Sequence, residues 1–369
     1  MSKIVISGYY GFNNAGDEAV LYSIISALKS LRPDVELTVL SNDPTSTMAD
    51  HGVKAVNRWN VADIWHALNK ADLLISGGGS LLQDVTGSRS VLYYLAIVRF
   101  AKLLSKPVIF YANGVGPVRK NVNKFLIAQV ANSVDTITVR DTQSLTDLHD
   151  MGVTRPLSRV TADPALGIDA NKVDIAKGRE LLANAGVDLD KPVLGIAIRE
   201  WEGLEGFTEV IAQVADDLVA EGWQVALVPM HYPKDLEPSK LIVAKMKNSA
   251  YVIEQKLLVD DLLSIIGNFN LLVGMRLHAL IIAAVMNVPF VGISYDPKVD
   301  RFLEITGQAN AGEGASLTYE ALSKSVRDTV VNRDSIRQDL AQRMVELKEK
   351  ARESAVLALS LLRVPIRKK

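Results

Sequence analysis

The stretch 271–300, LLVGMRLHALIIAAVMNVPFVGISYDPKVD, constrains the fold more than any other part of the chain. A strand-length apolar run, Leu271–Val273, is punctuated by Gly274. A helix-length apolar run follows, Ala279 to Met286, and Asn287 and Pro289 stop it. A second apolar run, Pro289 to Ile293, then delivers Tyr295 and Lys298. Strand, helix, strand in so short a span dictates parallel pairing through a right-handed crossover. Arg276, His278 and Lys298 are thereby expected at the carboxyl edge of one sheet, where open α/β sheets bind ligands. A helix start at that edge adds unpaired N–H groups and a positive dipole end, both suited to an anion.

The same rhythm fills the rest of the chain. Strands are expected at Ile4–Ser7, Glu36–Leu40, Leu73–Ser76 (broken by Gly77-Gly78-Gly79-Ser80), Pro107–Ala112 and Thr136–Val139. A second series is expected at Val193–Ile198, Gln224–Pro229, weakly at Tyr251–Ile253, then at Leu271–Val273 and Pro289–Ile293. A helix from about Asp17 to Leu31 has apolar residues in helical spacing, and a long amphipathic helix is expected from about Asp334 to Leu362. With 369 residues, two domains are the expectation. The division predicted is an N-terminal Rossmann-like domain over 1–165, a linker over 166–190, a C-terminal Rossmann-like domain over 191–333, and a C-terminal helix with basic tail over 334–369. The fold class is α/β, two Rossmann-like domains facing a central cleft.

Composition excludes more than it proposes. A net charge of −1 argues against wholesale nucleic-acid binding. The absence of cysteine removes disulfides, thiolate metal sites and a Cys nucleophile. No apolar run reaches the ~20 residues of a membrane helix, and no secretory leader opens the chain, so a cytoplasmic location is expected. Histidines occur in no metal-binding spacing and no G-x-S-x-G elbow is present, so no metal and no cofactor are expected.

The candidate binding groups follow strand ends. The loop Gly8–Glu18 is neither a dinucleotide fingerprint nor a P-loop, yet Asn13, Asn14, Gly16 and Asp17 open a helix after the first strand and can cradle a polar ligand. The alternative is a glycine-rich connector with Asp17 as helix cap. Gly78, Gly79 and Ser80 permit close backbone approach of a ligand, or equally close helix–strand packing. Arg140 offers a guanidinium fork for a carboxylate or phosphate, with Asp141 as a cap. Arg199 follows another strand end with less weight, and His231 reads as a structural histidine. Arg276 and His278 weigh most, because they open one of the most apolar stretches of the chain, where burial without a partner is costly. Lys298 adds a cation, with plain solvation as its equal alternative.

Taken together, Gly8-Tyr9-Tyr10-Gly11-Phe12-Asn13-Asn14-Ala15-Gly16-Asp17-Glu18, Ser76-Gly77-Gly78-Gly79-Ser80, Arg140-Asp141-Thr142, Asp163-Pro164-Ala165 and Gly274-Met275-Arg276-Leu277-His278-Ala279-Leu280 resemble the polysaccharide pyruvyl transferase family, nearest its CsaB branch. The resemblance implies a GT-B-like fold and transfer of the pyruvyl skeleton of phosphoenolpyruvate to two hydroxyls of a sugar, with release of phosphate. For the CsaB branch it implies N-acetylmannosamine as acceptor, in a ManNAc-GlcNAc diphosphate lipid whose ketalised polymer anchors S-layer proteins to the cell wall. The family's Arg-Leu-His falls on Arg276, Leu277 and His278, its first-domain arginine on Arg140 and its lysine on Lys298. Those residues carry the catalytic expectation. Asn13, Asn14, Gly16, Asp17, Gly78, Gly79, Ser80, Arg199 and Tyr295 carry the substrate-binding one, the donor lying against the second domain and the acceptor against first-domain loops. The chemistry agrees, since a doubly anionic enol needs several fixed cations and a group near neutral pKa to move protons. The competing readings are a nucleotide-sugar glycosyltransferase on the same scaffold and a non-catalytic sugar-polymer binding protein. The basic tail, Arg363 to Lys369, offers peripheral contact with an anionic membrane, against a plain solvated terminus.

Overall fold

The computed structural model describes residues 1–84, 88–200 and 206–362. The tail from Arg363 onward, and with it the expected membrane contact, lies outside the described residues. Apolar runs become strands buried on both faces, the pattern of a parallel sheet covered by helices on either side.

The first unit comprises the described residues of 1–12, 17–168 and 347–369. Its seven strands are β1 (Lys3–Ser7), β2 (Glu36–Ser41), β3 (Lys54–Asn57), β4 (Leu73–Leu82), β5 (Val108–Val115), β6 (Thr136–Val139) and β7 (Leu157–Val160). They pair in the order β3-β2-β1-β4-β5-β6-β7, all parallel. The second unit comprises 13–16 and the described residues of 169–346. Its six strands are β8 (Val193–Ala197), β9 (Gln224–Leu227), β10 (Tyr251–Val252), β11 (Leu271–Gly274), β12 (Phe290–Ser294) and β13 (Ala309–Glu313), in the order β10-β9-β8-β11-β12-β13. Both orders follow the doubly wound 3-2-1-4-5-6 sequence, the first with one strand added. The chain reverses direction of winding between β1 and β4, and again between β8 and β11. Those are the two switch points where ligands are expected.

Three strands escape a reading of apolar runs: β3, β7 and β13. Each is a sheet edge or next to one, mixed in polarity and partly exposed, so it lacks the continuous apolar signal. The break expected at Gly77 does not occur. β4 runs on through Gly77-Gly78-Gly79-Ser80, pairing Gly77 with Tyr111 and Gly79 with Asn113, with a bulge before Leu82. A Cβ on Gly78 would lie 1.9 Å from Val20 Cγ1, so that glycine serves close packing of the Ala15–Leu31 helix.

Two segments of the expected division are corrected. The span 166–190 is no linker, because it holds the Ile175–Asn184 helix. There Gly178 N donates to Ser264 Oγ and Asn268 Nδ2 donates to Ile175 O at 3.0 Å, tying the helix into the second unit. The helix Arg333–Ser360 is no separate piece either. Its start is held in the second unit by Arg337 Nε donating to Asn287 O and Arg343 Nη1 to Ile305 O. Its end joins the first, where Ser354 Oγ bonds the hydroxyls of Thr138 and Thr161 and Ala355, Ala358 and Leu362 enter the core. Among the described residues no helix is long and apolar enough to cross a membrane.

Candidate active site

At the second unit's switch point β8 leads to Arg199 and β11 to Arg276. Arg276 occupies the N-cap position of the helix Leu277–Val285, its side chain making no capping hydrogen bond. The guanidinium forks onto Asp235: Nε donates to Oδ2 at 2.9 Å and Nη2 to Oδ1. Asp235 is 1% exposed and also accepts from the backbone N–H of Met230 and His231. One buried carboxylate thus takes two backbone donors and both arms of a fork, which fixes the guanidinium plane. Arg276 is therefore a partnered, oriented cation, not a bare one.

His278, two residues on, lies in the first helical turn. Its ring lies against Gly16, where an added Cβ would come within 2.4 Å of Nδ1. Asn13–Gly16 is grouped with the second unit, not with the first-domain loops where it was expected. The cause is a backbone ladder: Ala15 N donates to Met230 O at 2.8 Å, Tyr232 N to Asn13 O at 3.1 Å, and Asn14 bridges to His231. Asn13 takes φ 57°, and Asn14 Oδ1 accepts from Gly16 N, so the helix begins at Ala15 and Asp17 sits inside its first turn rather than capping it. The segment that opens the chain's first helix thus supports the second unit's histidine.

β12 flanks β11 and brings a further group to this edge. Arg199 Nη1 lies 3.3 Å from Tyr295 Oη, its guanidinium 5.1 Å from that ring. Lys298 Nζ donates to Asp296 Oδ2 at 3.0 Å and stands 5.5 Å from the same ring. Asp296 in turn caps the helix Pro297–Thr306. The three neighbouring strands β8, β11 and β12 are therefore each followed, within four residues, by a cation: Arg199, Arg276 and Lys298.

The first unit carries its own constellation. Arg140 follows β6, and its Nη2 donates to Ser80 Oγ at 3.0 Å. Nη1 lies 3.4 Å from Asp163 Oδ2 and Nε 3.7 Å from Asp141 Oδ2, while Asp141 caps the helix Thr142–Asp150. Gly114 leaves room for the guanidinium, since a Cβ there would meet it at 2.6 Å. Gly79 lies beside Asp17, whose Oδ1 would be 3.1 Å from a Cβ.

Sequence reasoning passed over three groups here. Asp235 has only the signature of a helix start after β9, indistinguishable in sequence from a solvated cap. Asp163, 23 residues from Arg140, carries no local sign that it partners that guanidinium. Arg58 follows β3, one of the strands without an apolar signal. It is 3% exposed, donates to Gly8 O at 2.8 Å, and lies within 4.2–5.5 Å of the rings of Phe12, Trp59, Tyr93 and Tyr94. Burial pushes the Tyr94 phenol up to about 12, with Arg58 pulling the other way, so the ring remains a neutral hydrogen-bonding group. Gly11 N donates to Glu18 Oε1, and His51 Nε2 pairs with Oε2 at 3.0 Å. The loop after β1 is thus held at Gly8 by Arg58 and at Gly11 by Glu18.

Comparison with known proteins gives this geometry a context. The amylovoran biosynthesis protein AmsJ of Erwinia amylovora is 22% identical, the match covering 92% of this chain and 95% of that protein. HepE of Anabaena, solved with UDP-glucose, superposes with a TM-score of 0.67 at 13% identity, over 98% of this chain and 100% of that one. The UDP-GlcNAc 2-epimerase of Methanocaldococcus jannaschii gives 0.66 at 14%, over 97% and 99%. At such identities the structural likeness establishes the fold, a GT-B-like pair of Rossmann-type units. The sequence itself matches one family over residues 14–297, from the loop that supports His278 through both sheets to the helix of Lys298. A match of that extent, spanning most of both units, makes the chain a member of the polysaccharide pyruvyl transferase family, an enzyme that transfers pyruvyl groups.

Proposed function

We propose that the enzyme ketalises an N-acetylmannosamine residue of a ManNAc-GlcNAc disaccharide carried on a lipid diphosphate, with phosphoenolpyruvate as donor substrate and no cofactor. The observation that carries this reading is the placement of Arg276, fixed by Asp235, two residues before His278 at the second unit's switch point. Phosphoenolpyruvate presents a carboxylate and a phosphate, and Arg276, Lys298 and Arg199 supply cations for them on adjacent strand ends. In the reaction the enol methylene takes a proton and becomes a methyl group, leaving C2 oxocarbenium-like. One sugar hydroxyl, its proton passed to His278, adds to C2. Phosphate departs with the C–O bonding pair, and the second hydroxyl closes the ketal, its proton leaving on the phosphate, while the proton held by His278 balances the one taken up by the methylene. His278 is the general base of this scheme. Asn13, Asn14 and Gly16 belong with the donor side by virtue of their ladder to residues 230–232. Asp17, Gly79, Ser80 and Arg140 are assigned to the acceptor side in the first unit. The reading places the enzyme in the cytoplasm, at the lipid-linked stage of cell-wall polymer assembly that precedes S-layer anchoring.

Incubation with phosphoenolpyruvate and a synthetic ManNAc-GlcNAc diphospholipid, followed by mass measurement, tests it. The product gains one pyruvate ketal per acceptor and one phosphate appears. His278→Ala abolishes that product while phosphoenolpyruvate still protects the protein thermally; retained turnover removes His278 from the role. A second reading, transfer of a sugar from a nucleotide donor, is favoured by the UDP-glucose bound to HepE. Nucleotide release in place of phosphate would select it.

A further inference from the structure

The first unit displays an apolar and basic face that the proposed chemistry does not use. Helices Val61–Lys70, Ser88–Leu103 and Asn121–Ala131 all begin at the carboxyl edge of the first sheet. Near those starts Trp59, Val61, Trp65, Leu92, Val122 and Phe125 are exposed, Val122 at 69% and Phe125 at 66%. Isolated exposed apolar residues need no explanation, but Val122 and Phe125 stand three residues apart on one helix and so share a face. The segment that presents Val122 and Phe125 is firmly held. The buried Asp84 carboxylate accepts from Arg119 N, Lys120 N and Asn123 Nδ2, so these side chains stand on an ordered helix start.

Charge identifies what covers this face. From Pro117 to Ala131 the sequence holds three Lys and Arg and no Asp or Glu, in a chain whose net charge is −1, while the first turn of the helix Val61–Lys70 adds one acid, Asp63. Arg119, Lys120 and Lys124 are exposed and interleave with Val122 and Phe125. A second copy of this chain would set that face against itself in a two-fold dimer, cation against cation. An anionic bilayer surface matches both properties, taking the apolar side chains at its headgroup boundary and the cations at its lipid phosphates. We propose that this face of the first unit, and not the C-terminal tail, docks the enzyme on an anionic membrane surface. The inference deepens the lipid-linked acceptor reading, and the test requires neither acceptor nor turnover, so each can fail alone.

The full chain is sedimented with vesicles of phosphatidylcholine alone or with phosphatidylglycerol added. The wild type pellets with the anionic vesicles, and raised salt weakens the binding. The double variant Val122→Asp with Phe125→Asp binds about tenfold less or weaker, as two apolar side chains give way to anions. Lys120→Glu with Lys124→Glu lowers it to a similar degree. Truncation after Leu362 leaves binding unchanged. Unaltered circular dichroism and melting establish that the variants are folded. Equal pelleting of wild type and variants overturns the proposal, as does loss of binding on truncation alone. A concentration-dependent dimer that these variants abolish overturns it in favour of a second copy.

Discussion

Each unit sets an arginine just past a strand, yet the two arginines are held differently. Arg276 forks onto a single carboxylate that is 1% exposed and also takes two backbone N–H groups. Arg140 is shared among Ser80, Asp163 and Asp141, with carboxylate separations of 3.4 and 3.7 Å. The first arrangement fixes one plane and ties β9's loop to β11's helix. The second divides the guanidinium among several partners at longer separations, although its side chain is 8% exposed against 14% for Arg276.

The sharpest way to break that comparison is to remove the carboxylates. Asp235→Ala leaves a part-buried Arg276 without its counter-charge and two buried backbone donors unsatisfied, so unfolding free energy falls by about 3 kcal/mol. Asp163→Ala removes only one of several partners of Arg140 and costs about 1–2 kcal/mol. Chemical denaturation of both variants checks the ranking, and equal losses would end the distinction. Next come the glycines that make room for the key groups. Gly16→Ala drives a methyl group into His278, lowering kcat about a hundredfold with little loss of melting temperature. Gly114→Ala displaces Arg140 from among its several partners and lowers kcat less, about tenfold. Kinetics with saturating donor tests that order.

The smallest effect concerns Asp84. Burial raises its carboxyl pKa, but hydrogen bonds from Arg119 N, Lys120 N and Asn123 outweigh that and hold it below its ordinary value of 3.8. A depressed carboxyl stabilises the fold above the unfolded value, and the contribution is lost as pH falls through the folded one. Asp84→Asn is therefore less stable than wild type at neutral pH, by about 1 kcal/mol. The gap closes as pH drops below 3.8. Melting curves across that range measure it, and a gap that persists in acid would assign the loss to packing.

Much of the site is legible in the residues. Arg140, Arg199 and Arg276 follow strand ends within two residues, and Lys298 opens the helix beyond β12, because apolar runs stop where a polar side chain begins, and that boundary is local. Asp235 is not legible, because a carboxylate at a helix start has the same local signature whether it caps in water or holds a buried arginine 41 residues away. Arg58 is hidden for the opposite reason, lying beyond an edge strand with no apolar signal of its own. The glycines of β4 read as a break in the strand because their reason for being there, the close approach of Val20, lies in another element.

The sequence by itself determined the alternation of strand and helix, hence two parallel sheets, and which charged residues follow the strands. Only the tertiary structure decided that β1 neighbours β4 and β8 neighbours β11, that Asn13–Gly16 joins the second unit, and that Arg276 meets Asp235. Periodicity is a property of neighbouring residues, set by backbone geometry and burial of one face. Strand order and ion pairing are contacts between residues far apart in the chain, settled by which packing satisfies every buried donor and acceptor at once.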